Sequence, residues 1–246
     1  MMSAALLVQG LSYTYPDGTP ALRGVDAHIE PGQAVAVVGA NGAGKSTLLQ
    51  MLIGLLLPDT GFVQVGPLAV SQATLVAVRQ RVGYVFQDAD DQLFMSTVQD
   101  DVAFGPRNLS WPADLIEQRV QAALAQVGAQ HLAARPPWRL SGGEKRAVAI
   151  AGVLAMQPEV LVLDEPSAGL DPAARRRLIG VLNGCTQTRV IATHDLDLVL
   201  DTCSRVLVLH EGRLHADAAP QAIFGDAALL AHCQLEPPLS AAAARP

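Results

Sequence analysis

The chain has 246 residues, half of them apolar and 16% charged, with a formal net charge of −6. That length suits one large domain or two small ones with a sizeable core, and the acidic balance argues against broad binding to nucleic acid or to an anionic membrane. The longest apolar runs, near 51–57 and 147–156, fall short of the ~18–20 residues of a membrane span, so both predict buried helices. Met1-Met2-Ser3 lacks a basic region and a cleavage site, so a secretion signal is not expected.

In chain order, residues 6–10 and 27–30 flank the turn-rich string Tyr15-Pro16-Asp17-Gly18-Thr19-Pro20, which predicts an antiparallel N-terminal pair. Residues 34–38, Ala-Val-Ala-Val-Val, predict a buried strand, and 46–53 the helix that leaves it. Between them lies Gly39-Ala40-Asn41-Gly42-Ala43-Gly44-Lys45-Ser46, followed by Thr47, a complete phosphate-binding loop in its proper strand-to-helix context. Its glycines let the backbone wrap an anion with N–H groups pointing inward, and the helix adds a positive dipole end. Lys45 is expected to reach β- and γ-phosphates and the Ser46 hydroxyl to ligate Mg²⁺. Of 17 basic residues only Lys45 and Lys145 are lysines, so a compact ammonium is used where an arginine fork is otherwise the habit.

Residues 62–65 and 83–86 predict further strands. From 88 to about 140 the pattern turns to polar loops and helical periodicity, notably 113–127 with Pro112 at its start, as for a helical insertion. Strands at 159–163, 189–193 and 205–210, separated by helices near 172–183 and 195–202, restore the pattern of a parallel sheet. Glu211-Gly212 predicts a last hairpin. The fold class is therefore α/β, with a domain over 1–225, a helical subdomain inserted at about 88–155, and a low-complexity tail at 226–246 expected to be disordered. Cys185, Cys203 and Cys233 fit no metal or redox spacing, and the six histidines form no i, i+4 pair, so no resident transition metal is expected.

Two further strings carry chemistry. Val160-Leu161-Val162-Leu163 ends in Asp164-Glu165, delivering adjacent carboxylates to the C-terminal end of a buried strand, where α/β sheets bind ligands. Asp164 is expected to face the metal and Glu165 to act as general base toward water. Leu140-Ser141-Gly142-Gly143-Glu144 opens a helix. Ser141 and Glu144 have capping-box spacing, yet a cap does not need two glycines, and Gly142 and Gly143 would let a phosphate approach the helix end.

Together with Gln87, Ser167-Ala168-Gly169-Leu170-Asp171 and Thr193-His194, these strings resemble the ATP-binding-cassette ATPases, in that family's order and over about residues 5–225. The strings Val85-Phe86-Gln87-Asp88-Ala89-Asp90-Asp91-Gln92-Leu93-Phe94 and Asp100-Asp101-Val102-Ala103-Phe104-Gly105-Pro106 resemble the energy-coupling-factor branch, especially ATPases of cobalt and nickel importers. The resemblance implies a RecA-like P-loop NTPase core of mixed, largely parallel sheet, an N-terminal antiparallel β subdomain and an inserted helical subdomain. It also implies ATP and Mg²⁺ as cofactors, and a head-to-tail dimer with a like or related protomer, clamping two ATPs. Each site would join 39–47, Gln87, Asp164, Glu165 and His194 of one chain to Ser141, Gly142 and Gly143 of the other, with Asp171 at the seam. Gln87 would touch Mg²⁺ or the lytic water, His194 the γ-phosphate, and Tyr15 would stack on adenine, with Tyr13 the competing choice.

Residues 88–94 are expected to dock the coupling helices of a transmembrane subunit, itself paired with a substrate-binding membrane subunit, at the cytoplasmic face of the cell membrane. No nucleic-acid partner is expected. Ala40, Glu144 and Ser167 depart from the family's usual proline, glutamine and threonine without removing a group the mechanism needs. A soluble cassette protein acting on DNA or ribosomes would carry long coiled-coil insertions or two cassettes with a basic linker, and neither is present. An export cassette is disfavoured by the string after Gln87, and a P-loop kinase by residues 140–144.

Overall fold

The computed structural model describes residues 5–242. The N-terminal pair is real and longer than its sequence core: β1 (Leu6–Thr14) runs antiparallel to β2 (Pro20–Ile29). Inward positions Leu6, Val8 and Leu11 are buried, and the register against β2 shifts between Val8 and Thr14. Next come β3 (Ala34–Val38), every residue buried, α1 (Lys45–Leu52), β4 (Thr60–Val65) and the short β5 (Leu68–Ala69). α2 (Leu75–Arg81), which the polar spacing of 71–81 hides, leads into β6 (Val82–Val85).

The insertion holds α3 (Val98–Asn108), α4 (Ala113–Gln126) and α5 (Gly142–Leu154). Alternating elements follow: β7 (Val160–Asp164), α6 (Pro172–Gly184), β8 (Thr188–Ala192), α7 (Leu196–Thr202) and β9 (Arg205–His210). Glu211-Gly212 turns the chain into β10 (Arg213–Ala218), and α8 (Pro220–Gly225), α9 (Ala227–His232) and α10 (Leu239–Ala242) close the described chain. Order therefore extends past residue 225, against the expectation of a disordered tail from 226. Leu230 and Cys233 are buried against β3, α7 and β9, and the backbone N–H groups of Leu239 and Ser240 donate to Asp197. Leu229 and Leu235 pack on the same cluster, so a few apolar contacts and a carboxylate hold what composition alone reads as linker. Residues 243–246 lie outside the described part.

Two sheets result, β2-β1-β4-β5 and β10-β9-β3-β8-β7-β6, the second parallel throughout except for β10. Val35, Val37, Val160, Val162 and Val190 pack with α1 and the antiparallel sheet on one side, whereas Leu161, Leu163 and Ile191 pack with α3, α4, α5 and α6 on the other. Fully burying such a side chain contributes roughly 1.5–3 kcal/mol. Each strand of the parallel core is apolar on both faces, which is why no alternation marked it in the sequence.

Candidate functional site

Because β3, β6, β7 and β8 are parallel neighbours, their C-terminal ends fall on one edge of the sheet. Gly39, Phe86-Gln87, Asp164-Glu165 and Thr193-His194 are thereby gathered from positions more than 150 residues apart. The joins are hydrogen-bonded: Glu165 N–H donates to Ala192 O at 2.9 Å and Thr193 N–H to Val37 O at 3.2 Å. Glu165 itself has φ 44°, a left-handed conformation that costs a non-glycine residue about 1–2 kcal/mol. Such strain persists where the surroundings over-determine the backbone, and it aims this carboxylate.

An open cleft of about 750 Å³ lies along this edge, lined among others by Tyr15, Asn41, Lys45, Gln87, Glu165 and His194. Gly42, Gly44, Ser46 and Thr47 share its wall. Gly44 has φ 102°, and a Cβ there would sit 2.5 Å from Ala21 O, so the loop turns into α1 where no side chain fits. Among the described residues α1 has no side-chain N-cap and no acidic residue in its first turn, leaving its first N–H groups to an anion. Gly39, Ala40 and Ala43 belong to the same loop but do not line the cleft. Lys45 is 7% exposed and its Nζ donates to Gly39 O at 2.8 Å and Ala40 O at 3.2 Å, with His194 Nε2 at 3.1 Å. Burial pushes the Lys45 ammonium below its ordinary pKa, and the charges of Glu165 and Asp164 work against that shift.

Beside the cleft, a cavity of about 670 Å³ is lined by Ser46, Gln87, Asp164 and Gly142, with Tyr84 among its walls. Asp164 is 4% exposed; its Oδ2 accepts from Tyr84 Oη at 3.1 Å, and its Oδ1 is buried without a partner. Burial, then the Asp164 charge, pushes the Tyr84 phenol far up. Among the described residues no three His, Cys, Asp or Glu side chains converge as ligands. A hydroxyl, an amide and one orphaned carboxylate oxygen are a sparse hard-oxygen set, suited to Mg²⁺ held mainly through phosphate oxygens and water.

The remaining predicted residues lie elsewhere. Ser141 caps α5 in a complete capping box, its Oγ donating to Glu144 Oε2 at 2.7 Å, and those bonds hold the Glu144 carboxyl below its ordinary range. Gly143 has a packing reason of its own: a Cβ would lie 2.8 Å from the Ala174 Cβ on α6, whereas Gly142 faces open space. Asp171 is exposed and caps α6, accepting from Ala173 and Ala174 N–H at 2.8 Å. None of Ser141, Gly143 or Asp171 lines the cleft of its own chain. Tyr15 does, with its hydroxyl 2.8 Å from Thr47 Oγ1, and Tyr13, packed edge-on against it, does not.

Two groups escaped the sequence. Arg146, 5% exposed, donates to Phe86 O at 2.6 Å and Gln87 O at 2.5 Å, holding the Gln87 backbone to the start of α5. Lys145 reaches Asp90 at 2.6 Å. Only the rarity of lysine in this chain signalled Lys145, and nothing distinguished Arg146 from the other arginines.

Residues 22–168 match the model of the ABC transporter family. The chain belongs to the ABC transporter family. A Geobacter sulfurreducens protein provisionally named an ABC transporter ATP-binding protein is 58% identical, over 95% of this chain and 94% of its own length. The energy-coupling factor transporter ATP-binding protein EcfA of Methanothermobacter thermautotrophicus is 48% identical, over 95% of this chain and 77% of its own. The solved structure of cbiO1 from Clostridium perfringens, part of the ABC transporter complex cbiONQ, superposes with a TM-score of 0.83 at 41% identity, covering 94% of each chain. The protein is thus an ATPase of the energy-coupling-factor type.

Proposed function

We propose that this ATPase drives uptake of a transition-metal ion, cobalt or nickel, or of a vitamin, through a separate membrane complex on whose cytoplasmic face it sits. The observation that carries the transport reading is an apolar groove of about 450 Å³ beside the nucleotide site. Phe86, Phe94 and Phe104 line it, and they are 37%, 62% and 40% exposed. Phe86 directly precedes Gln87, so an occupant of the groove touches the residue next to the cleft. A surface of this kind, between β6 and the helical insertion, suits the apolar face of a short helix from a transmembrane subunit.

In this reading the 39–47 loop and the α1 N-terminus bind the ATP phosphates, Tyr15 packs on adenine, and Glu165 accepts the proton of the attacking water. His194 and Lys45 contact the γ-phosphate. Ser46, Asp164 and Gln87 would hold Mg²⁺, which when bound offsets negative charge on the transferring phosphate. Ser141, Gly143 and Asp171, which lie off the cleft of their own chain, would with Gly142 complete the site of a second protomer, and differential affinity for ATP and ADP would open and close the pair. cbiO1 being part of the ABC transporter complex cbiONQ supports work within a multi-subunit transporter. Affinity purification of the full chain from its native membranes, followed by identification of the co-purifying subunits and uptake assays with labelled cobalt and nickel, tests the proposal. Recovery of integral membrane subunits supports it; recovery of soluble or ribosomal partners alone overturns it.

A further inference from the structure

Tyr84 stands between the apolar groove and the carboxylate that ends β7. It is one residue from the end of β6, half-buried, and lines both the groove and the cavity containing Ser46, Gln87 and Asp164. At one end its hydroxyl donates to Asp164 Oδ2 at 3.1 Å. At the other its ring meets Phe86 edge-on, centroids 4.9 Å apart at 74°. The second oxygen of the same carboxylate, Oδ1, is buried and unpartnered.

We infer that Tyr84 is a positioning residue that fixes the Asp164 carboxylate for Mg²⁺ and transmits to it the state of the groove through Phe86. The reason is rotational. A carboxylate turns over a broad, two-fold torsion, so an untethered Asp164 would spread its oxygens over many orientations. A donor on Oδ2 removes that freedom and leaves Oδ1 as the oxygen available to a hard cation. Tyr84 can only donate here, because Asp164 is an acceptor, and the ring cannot shift without moving either Phe86 or the hydroxyl. Outer partners of this kind typically carry 10–100-fold of metal affinity. The transmission half rests on the reading of the groove as a docking surface; the positioning half does not.

The test compares ATP affinity with Mg²⁺ and with EDTA, by calorimetry on the full chain carrying Glu165→Gln so that nucleotide is not consumed. Tyr84→Phe keeps the ring and removes the donor. It should cut the Mg²⁺-dependent gain in affinity by about tenfold while leaving affinity in EDTA unchanged. Phe86→Ala should reduce the gain in the same direction, and the double variant should match Tyr84→Phe alone. An unchanged gain in Tyr84→Phe, or an equal loss with and without Mg²⁺, overturns the positioning role. Additive effects of Phe86→Ala and Tyr84→Phe overturn the transmission. Both arms are read on the isolated ATPase, so they are independent of whether a membrane subunit is found.

Discussion

Lys45 Nζ lies 3.1 Å from His194 Nε2, across 149 residues of sequence. An ammonium can only donate, so Nε2 accepts in that contact, and the same nitrogen lies 3.3 Å from Glu165 Oε1. Lys45, His194 and Glu165 thus form a contiguous cluster in which the lysine's three donors are held by Gly39, Ala40 and His194. Phosphate oxygens would replace those weaker acceptors with little further desolvation of the lysine, since Lys45 is already buried.

Lys45→Ala should therefore weaken ATP binding by at least about tenfold, or ~1.4 kcal/mol, by calorimetry. Lys45→Arg should fail comparably, because a planar fork does not fit a cradle closed by the backbone of Gly39 and Ala40. Unchanged affinity in either variant contradicts the phosphate assignment.

Ser141 tests whether sites are shared. Ser141→Arg should bind ATP through its own 39–47 loop yet hydrolyse poorly alone. Mixed with Lys45→Ala chains it should recover part of the activity, because its intact loop then meets an intact 141–143 segment. Full activity of pure Ser141→Arg protein would falsify the shared site.

The parallel core, the phosphate loop and the adjacent carboxylates were legible because each is a local string with a local cause. Tyr84, Arg146 and the ordered part of 226–242 were not. Tyr84 reads as one more apolar strand residue until β6 is set beside β7, and Arg146 as one more arginine until the Gln87 backbone arrives from 59 residues upstream. Ser141 shows the opposite limit. Its cap was legible, but whether its hydroxyl also meets a phosphate depends on a second chain.

Arg146→Met should lower unfolding free energy by about 3 kcal/mol, from two hydrogen bonds to a charged group at about 1.5 kcal/mol each, measured by urea titration. Arg146→Lys should recover little of it, since one ammonium replaces a fork that spans Phe86 O and Gln87 O. Wild-type stability in both variants would show that the Gln87 backbone is held by other means.

Asp101 gives a pH-dependent prediction. Burial pushes its carboxyl above the ordinary 3.8, opposed by N–H bonds from Phe94 and Met95. A raised carboxylate favours the fold most below its unfolded pKa, and that contribution is lost as pH rises through the folded value. Asp101→Asn keeps an acceptor for both N–H groups and has no charge to bury. Its Tm should equal or exceed wild type at pH 7, with the difference shrinking as pH falls below 3.8. Thermal scans across pH check this; a variant less stable than wild type at pH 7 and equal to it in acid reverses the sign.

The most direct measurement of the account is ATP turnover by Glu165→Gln beside its ATP affinity. The substitution keeps the shape and the strained φ 44° backbone but removes the group that accepts the proton of water. Wild-type binding with turnover reduced by at least about 100-fold is expected. Near-normal hydrolysis with binding intact would contradict it.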